Sequence, residues 1–498
     1  MLHDTPRKAD YGSPAQSPTF GFQLATRGAR VAQQNSFGSE ELAGAWHDNG
    51  GVEFSVQPER VAVGAGSDDV HNEYPEGHSG HWGAVFNFVN TIVGAGIIGL
   101  PFAILQCGFW TGLGLMTLAA VLIDKSSVML VQAGEKTGRL NYEELMGAMF
   151  GAAGYHTFCF FAFVMAFGAM AAYLIIIGDT VPQVLRACGV ASGALTDRRV
   201  VIALLSLLVV LPVSSFRDLH KLSFASFISV LSTLLLVLIV VFAAPAEGRT
   251  YDTIDRTDIF TFARGTLFAG LGAISFAFVC QSSTFIVYRS LGEGARSVAS
   301  WTSITHMSLS IAWAMTMAMA TLGYLSFGDQ TRGDILNNFS ARGAAAAAAR
   351  AFLAVAMLLT YPMEMVVARH VLDASVCRAL LRWEEARLGR HMVITILIWA
   401  ATTVTALATD DLGAVLEIFG AFAASVIGYV LPSLLYLKSH EGELRAAALV
   451  WKGAGGAYAP SWRERAAAFR PFYWAFFMAA FGAVACVAGT VTTILDNH

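Results

Sequence analysis

The stretch Asn87-Phe-Val-Asn90-Thr91-Ile-Val-Gly94-Ala95-Gly96-Ile-Ile-Gly99-Leu-Pro101 decides how the chain is read. It is apolar enough to lie in a bilayer, yet three glycines and a proline each weaken a continuous helix. Two readings compete: a stripe of small residues for close helix packing, or an unwound segment exposing backbone N–H and C=O groups. The glycines cluster in mid-span directly after Asn90 and Thr91, and this favours the unwound segment. Outward from it, the 498 residues are 55% hydrophobic and only 14% charged, with mean hydropathy +0.56 and net charge −4. A soluble enzyme carries about a quarter charged residues, so this composition excludes one. The charge balance has no nucleic-acid signature. Six scattered cysteines without a CxxC pair exclude a disulfide scaffold or structural zinc site.

Residues 1–80 differ in kind. They hold five Lys/Arg against eleven Asp/Glu and are rich in Gly, Ser and Pro, so we read them as a disordered acidic tail ahead of a transmembrane domain at 81–498. No apolar leader opens the tail, which excludes a cleaved secretory signal on this reading. From Trp82 on, runs long enough to cross a ~30 Å hydrocarbon core recur: 82–105, 109–132, 153–178, 200–216, 222–243, 266–288, 301–326, 348–368, 392–409, 412–437 and 471–494. These eleven spans place seventeen Lys/Arg in the loops on the side of the tail and nine on the other. The bias predicts a cytoplasmic N-terminus and an extracellular or luminal C-terminus.

The sixth span, Gly270-Leu-Gly272-Ala-Ile-Ser275-Phe276-Ala-Phe278-Val-Cys280-Gln281-Ser282-Ser283-Thr284, carries a run of five polar or thiol side chains, read as a second interruption. Interrupted helices at corresponding places in two halves mark secondary-transporter binding sites. Here they open each half of a five-plus-five arrangement with one span left over. Half-helix N-termini suit a carboxylate, and unwound carbonyls suit an ammonium or Na⁺, so a zwitterionic amino acid fits both. The candidate substrate site is Thr91, Gly94, Ala95 and Gly96 with Phe276, Cys280, Gln281 and Ser282.

On these residues the chain resembles the amino acid/auxin permease family, including sodium-coupled neutral amino acid transporters and related vacuolar amino acid transporters. Further motifs recur in order: Asn141-Tyr142-Glu-Glu-Leu-Met-Gly-Ala-Met-Phe-Gly151 as the loop after the second span, Phe216-Arg-Asp-Leu-His-Lys-Leu-Ser223, Phe276-Ala-Phe-Val-Cys280, Phe327-Gly328 with Asp334-Ile-Leu336, and Leu359-Thr360-Tyr-Pro362. The resemblance implies an all-α, eleven-helix LeuT-type fold, alternating access, and a cation site at Asn90 and Thr360, where Na⁺ would bind. It implies that backbone around Gly94–Gly96 holds the substrate carboxylate. Many members have a histidine where this chain has Gln281, and glutamine cannot titrate.

Ionisable residues inside a span are functional candidates. Glu364 lies one turn from Thr360, on the same face, and joins the cation site as a candidate; a bridge to Arg369 is the structural alternative. Glu417 reads equally as a hydrogen-bonding group. Asp124 and Lys125 read as structural, Asp179 as interfacial, and His306, with no partner identifiable in sequence, as a packing histidine. No catalytic or nucleotide-binding motif is present. The expectation is a non-enzymatic, cofactor-free amino acid transporter coupled to Na⁺ or H⁺ in a plasma or vacuolar/lysosomal membrane, with no nucleic-acid or protein partner; an amino-acid sensor signalling through the tail is the alternative.

Overall fold

The computed structural model describes residues 80–496 except 192, 216–222, 249–258, 341–342, 379–386 and 453–460. All of the acidic tail but Gly80, and most of the Phe216–Ser223 motif, lie outside the described residues.

Described residues are helical throughout the membrane body. Among the described residues ten helices are long and apolar enough to cross a bilayer, and the bent pair His81–Ile92 and Gly96–Cys107 adds an eleventh span. Such a body follows from the solvent: hydrocarbon offers no hydrogen bonds, so each span must satisfy its backbone internally. We call the bent pair α1 and the others α2 (Phe109–Thr137), α3 (Tyr142–Ala187), α4 (Arg198–Ser215), α5 (Ser223–Gly248), α6 (Leu267–Ser290), α7 (Val298–Phe327), α8 (Ala344–Leu372), α9 (Arg387–Ala408), α10 (Leu412–Ser439) and α11 (Tyr473–Asp496). The eleven expected spans all find a helix.

One boundary differs from the sequence reading. The 141–151 stretch is helix, not loop. Asn141 caps it by accepting the Glu143 N–H at 3.2 Å, and α3 kinks within its length at Gly151, where φ is +67°. Only glycine takes that angle freely, so the motif's last residue makes the joint.

The core is built on close approach of small residues. A Cβ added at Gly420 of α10 would lie 2.0 Å from the Gly272 carbonyl oxygen of α6. One at Gly96 of α1 would lie 2.7 Å from the Ala277 Cα of α6. In lipid, where apolar side chains gain little by meeting each other, such backbone contact holds helices together. It seats α1 and α10 directly on α6. The π-helical turns Gly420–Ala424 and Val426–Val430 sit where α10 passes the interrupted region of α6; such turns mark functional sites.

Candidate substrate and cation site

The first half of α1 ends at Ile92. Val93 (φ −86°, ψ 69°) and the extended Gly94 leave the helix, and a 3₁₀ turn over Ala95–Gly99 leads into Leu100–Cys107. Pro101 sits in the first turn of that second half, where its missing N–H breaks nothing. The two halves are bent by 50°. The glycines divide the labour. Gly96 is pressed against α6, whereas a Cβ added at Gly94 would meet nothing within 4 Å. Gly94 thus borders open space at the centre of the break, where carbonyls of the first half-helix end and N–H groups of the 3₁₀ turn begin. Thr91 Oγ1 donates back to the Asn87 carbonyl at 3.1 Å.

In α6 the break is at Val279 and Cys280, between Leu267–Phe278 and Gln281–Ser290. The polar run from Gln281 onward is helical, so the interruption is shorter and earlier than the sequence implied. Val279 is extended (φ −64°, ψ 124°). Gln281 is fully buried. Its Oε1 accepts the Cys280 N–H at 3.1 Å, and its Nε2 donates to Ser126 Oγ of α2 at 3.2 Å. Ser126 in turn donates to the Gly428 carbonyl of α10. One side chain therefore satisfies the backbone freed by the break and ties it to two neighbours. Cys280 Sγ lies 4.0 Å from Ser127 Oγ. Phe276 and Cys280 are buried, while Ser282 is exposed.

The cation candidates meet through α5, which sequence reading left out. Thr360 Oγ1 is 3.1 Å from Ser229 Oγ and donates to the Ala356 carbonyl at 2.7 Å. Thr233, one turn on, donates to the Ser229 carbonyl at 2.9 Å. Thr233 and Asn90 both line a cavity of about 400 Å³ between α1, α5 and α7, whose other walls include Val89, Val93 and Met315. Asn90 on α1 and Thr360 on α8 are thus both neighbours of one short stretch of α5. The available signal was Ser229, Ser232 and Thr233 in an otherwise apolar run. Among the described residues no three His, Cys, Asp or Glu side chains gather as for a metal. An ion here would be held by hydroxyl, amide and carbonyl oxygens, suited to a hard cation.

Glu364 is half-buried and makes no hydrogen bond or ion pair among the described residues; Tyr173 of α3 is its ionisable neighbour. It does not reach Arg369, which donates to the Ser214 carbonyl and Thr395 Oγ1 at 3.0 and 3.1 Å. One other expectation is corrected. His306 has a partner, Asp124 Oδ2 at 2.9 Å. Asp179 is half of a largely buried ion pair with Arg198 at 2.8 Å, and Asn337 donates to its other oxygen at 3.3 Å. Next to Asn337, the buried Asp334 caps a short turn by accepting the Leu336 N–H at 2.9 Å. Burial, then the negative Asp179, pushes the Asp334 carboxyl up to about 7.

Residues 77–454 match the family model for transmembrane amino acid transporter proteins. The chain is 35% identical to sodium-coupled neutral amino acid transporter 11 of Danio rerio over 370 residues, covering 74% of this chain and 81% of that one. It is 32% identical to vacuolar amino acid transporter 2 of Saccharomyces cerevisiae over 428 residues, or 83% of each. Among solved structures, a closed form of Mhp1, a nucleobase-cation-symport-1 family transporter with bromovinylhydantoin bound, superposes with TM-score 0.51 at 11% identity, over 85% of this chain and 93% of that one. That likeness shows the fold alone, an all-helical LeuT-type fold. The relatives are named as transporters rather than enzymes, and the chain is a multi-pass membrane protein of the amino acid/auxin permease family.

Proposed function

We propose that the protein is a secondary active transporter of neutral amino acids, driven by Na⁺ or H⁺. The observation that carries this reading is the open space at Gly94, in a bent break of α1 packed on a break in α6. The substrate carboxylate takes the N–H groups that open the 3₁₀ turn at Ala95 and Gly96. The ammonium takes carbonyls at the ends of His81–Ile92 and Leu267–Phe278. Partial charges at half-helix ends supply both attractions without a buried protein ion.

Asn90, Thr360 and Ser229 hold the coupling cation, with Glu364 one turn further along α8. A cation there bridges α1 to α5 and α8 and stabilises one access state over the other. Movement of the first half of α1 about Val93 and Gly94 then opens the site to the opposite side. The names of the relatives favour neutral amino acids and Na⁺, and the yeast relative keeps the vacuolar membrane beside the plasma membrane as a location. The N-terminus lies in the cytoplasm on the loop-charge bias. The test is uptake of radiolabelled alanine, glutamine and leucine into proteoliposomes, with Na⁺ and pH gradients imposed separately. Uptake above empty vesicles under one gradient is the expected result; none under either ends the transporter reading.

A further inference from the structure

An ionic cluster lies outside the substrate and cation sites, between α2 and α7. Asp124 is 6% exposed. Its Oδ2 is 2.9 Å from His306 Nε2 of α7 and 3.4 Å from the Nζ of Lys125. Lys125 Nζ is also 3.4 Å from His306 Nε2, and Asp124 Oδ1 is buried without a hydrogen-bond partner. A membrane-embedded carboxylate with an unused oxygen carries a high energetic penalty and marks function rather than packing. His306 is eight residues into α7, about 12 Å along its axis. Its side chain is 50% exposed, on the outward face of α7.

The His306 ring nitrogen faces two partners of opposite character. In the neutral ring, the tautomer with its proton on Nδ1 leaves Nε2 to accept from the Lys125 ammonium, and the tautomer with its proton on Nε2 donates to Asp124 Oδ2. A second proton makes an imidazolium whose Nε2–H donates to Asp124 Oδ2 and whose charge repels Lys125, whose stem can carry its own charge toward the membrane surface. Binding a proton therefore locks the contact with Asp124 and removes the one with Lys125. Both helices lead to the transport site. Two residues past His306, Ser308 Oγ donates to the Val85 carbonyl in the first half of α1 at 3.1 Å, and Trp301 packs on Phe88 of α1 with ring centroids 5.1 Å apart. Just past Lys125, Ser126 and Ser127 hold Gln281 and Cys280 at the α6 break.

We infer that Asp124 and His306 form a proton-binding site that couples the mobile half of α1, through α7, to the fixed break of α6, through α2. The groups facing it are Lys125 from α2, His306 from α7 and the Cys280 thiol from α6, with no other charged side chain in contact among the described residues. Its place is separate from Gln281 and from the oxygen cluster at Thr360. The inference rests on the transporter reading for its consequence and on the cluster alone for its existence.

Two measurements test it on the full chain. Uptake of the labelled amino acid mixture into proteoliposomes between about pH 5.5 and 8 should vary at least about threefold for the wild type, and by less than about 1.5-fold for His306→Gln. A purely structural role would lower the rate equally at every pH. A His306→Gln profile parallel to wild type, or a flat wild-type profile, overturns the inference. The second readout needs no flux: in protein labelled with ¹³C-histidine, the ring signal absent from His306→Gln should titrate within that range. Asp124→Asn and Lys125→Gln should each alter that response, since each removes one neighbouring charge. A signal that does not titrate, or is unmoved by Asp124→Asn, also overturns it. Should the wild type show no uptake at all, the transporter reading fails while the titration still decides the proton site.

Discussion

The two broken helices solve the same problem in opposite ways. In α1 the break is bent by 50° and its central glycine borders open space. In α6 the two halves run on as a single span, interrupted only at Val279 and Cys280 and held by Gln281, Ser126 and Gly428. In α6 a neighbouring side chain takes up the Cys280 N–H, and we read that break as a rigid platform; in α1 the space beside Gly94 is open, and that break is the one proposed as site and hinge. The difference teaches that loss of helix alone does not make a binding site. What matters is whether the protein or a ligand satisfies the freed backbone.

The largest test of this contrast is at the contact between the breaks. Gly96→Val should destabilise by about 3 kcal/mol or more and abolish uptake, because the Ala277 backbone cannot yield. Gly94→Ala, two residues away, should fold normally and raise the substrate KM by about fivefold, its methyl entering the substrate's space. Equal thermal stability of the two variants would erase the distinction between pressed and open glycines.

Next comes Gln281→Ala. Leaving buried groups at the α6 break without partners should reduce stability by about 1–3 kcal/mol. A melting curve reads this directly, and the KM of the protein that remains folded should change less than twofold. A large rise in KM with unchanged stability would move Gln281 from platform to substrate contact.

Thr360→Ala has a smaller effect on the fold and a specific one on coupling. It should raise the cation concentration for half-maximal uptake by about tenfold, a loss of about 1.4 kcal/mol. An unaltered cation dependence removes Thr360, and with it Ser229, from the ion site.

The smallest effect concerns the loop beside the second half of α1. A Cβ at Gly99 would lie 3.6 Å from the Gly333 carbonyl, so the turn beginning at Asp334 abuts the second half of the bent helix. The Asp334 carboxyl at about 7 is above its ordinary value near 3.9. The folded state therefore holds a proton that the unfolded state has released. This contribution to stability is full below about pH 4, declines as pH rises to about 7 and is level above that. Asp334→Asn keeps a side-chain oxygen for the Leu336 N–H and cannot ionise. Its melting temperature relative to wild type should rise between about pH 4 and 7, and a constant difference across that range would show that the proton is not held there.

Much of this protein was legible in the sequence because lipid imposes simple rules on a chain. Apolar runs of sufficient length located all eleven spans, and Gly94, Gly96 and Pro101 marked the break in α1, since no other residues so weaken a helix. Thr360 and Asn90 were picked out through the family resemblance. What stayed hidden depended on which faces meet. Hydropathy shows that Ser229 and Thr233 are polar within α5, but only helix packing puts them beside Thr360 and Asn90. His306 and Asp124 are 182 positions apart, and neither carries a sign of the other until α2 and α7 come together. The division of roles between Gly94 and Gly96 was likewise invisible, because two glycines in a row of small residues have the same local physics. Local propensity and hydropathy decided where the helices are and that α1 breaks; the tertiary structure decided where α6 is interrupted and which break stands open, because that depends on what fills the space beside it.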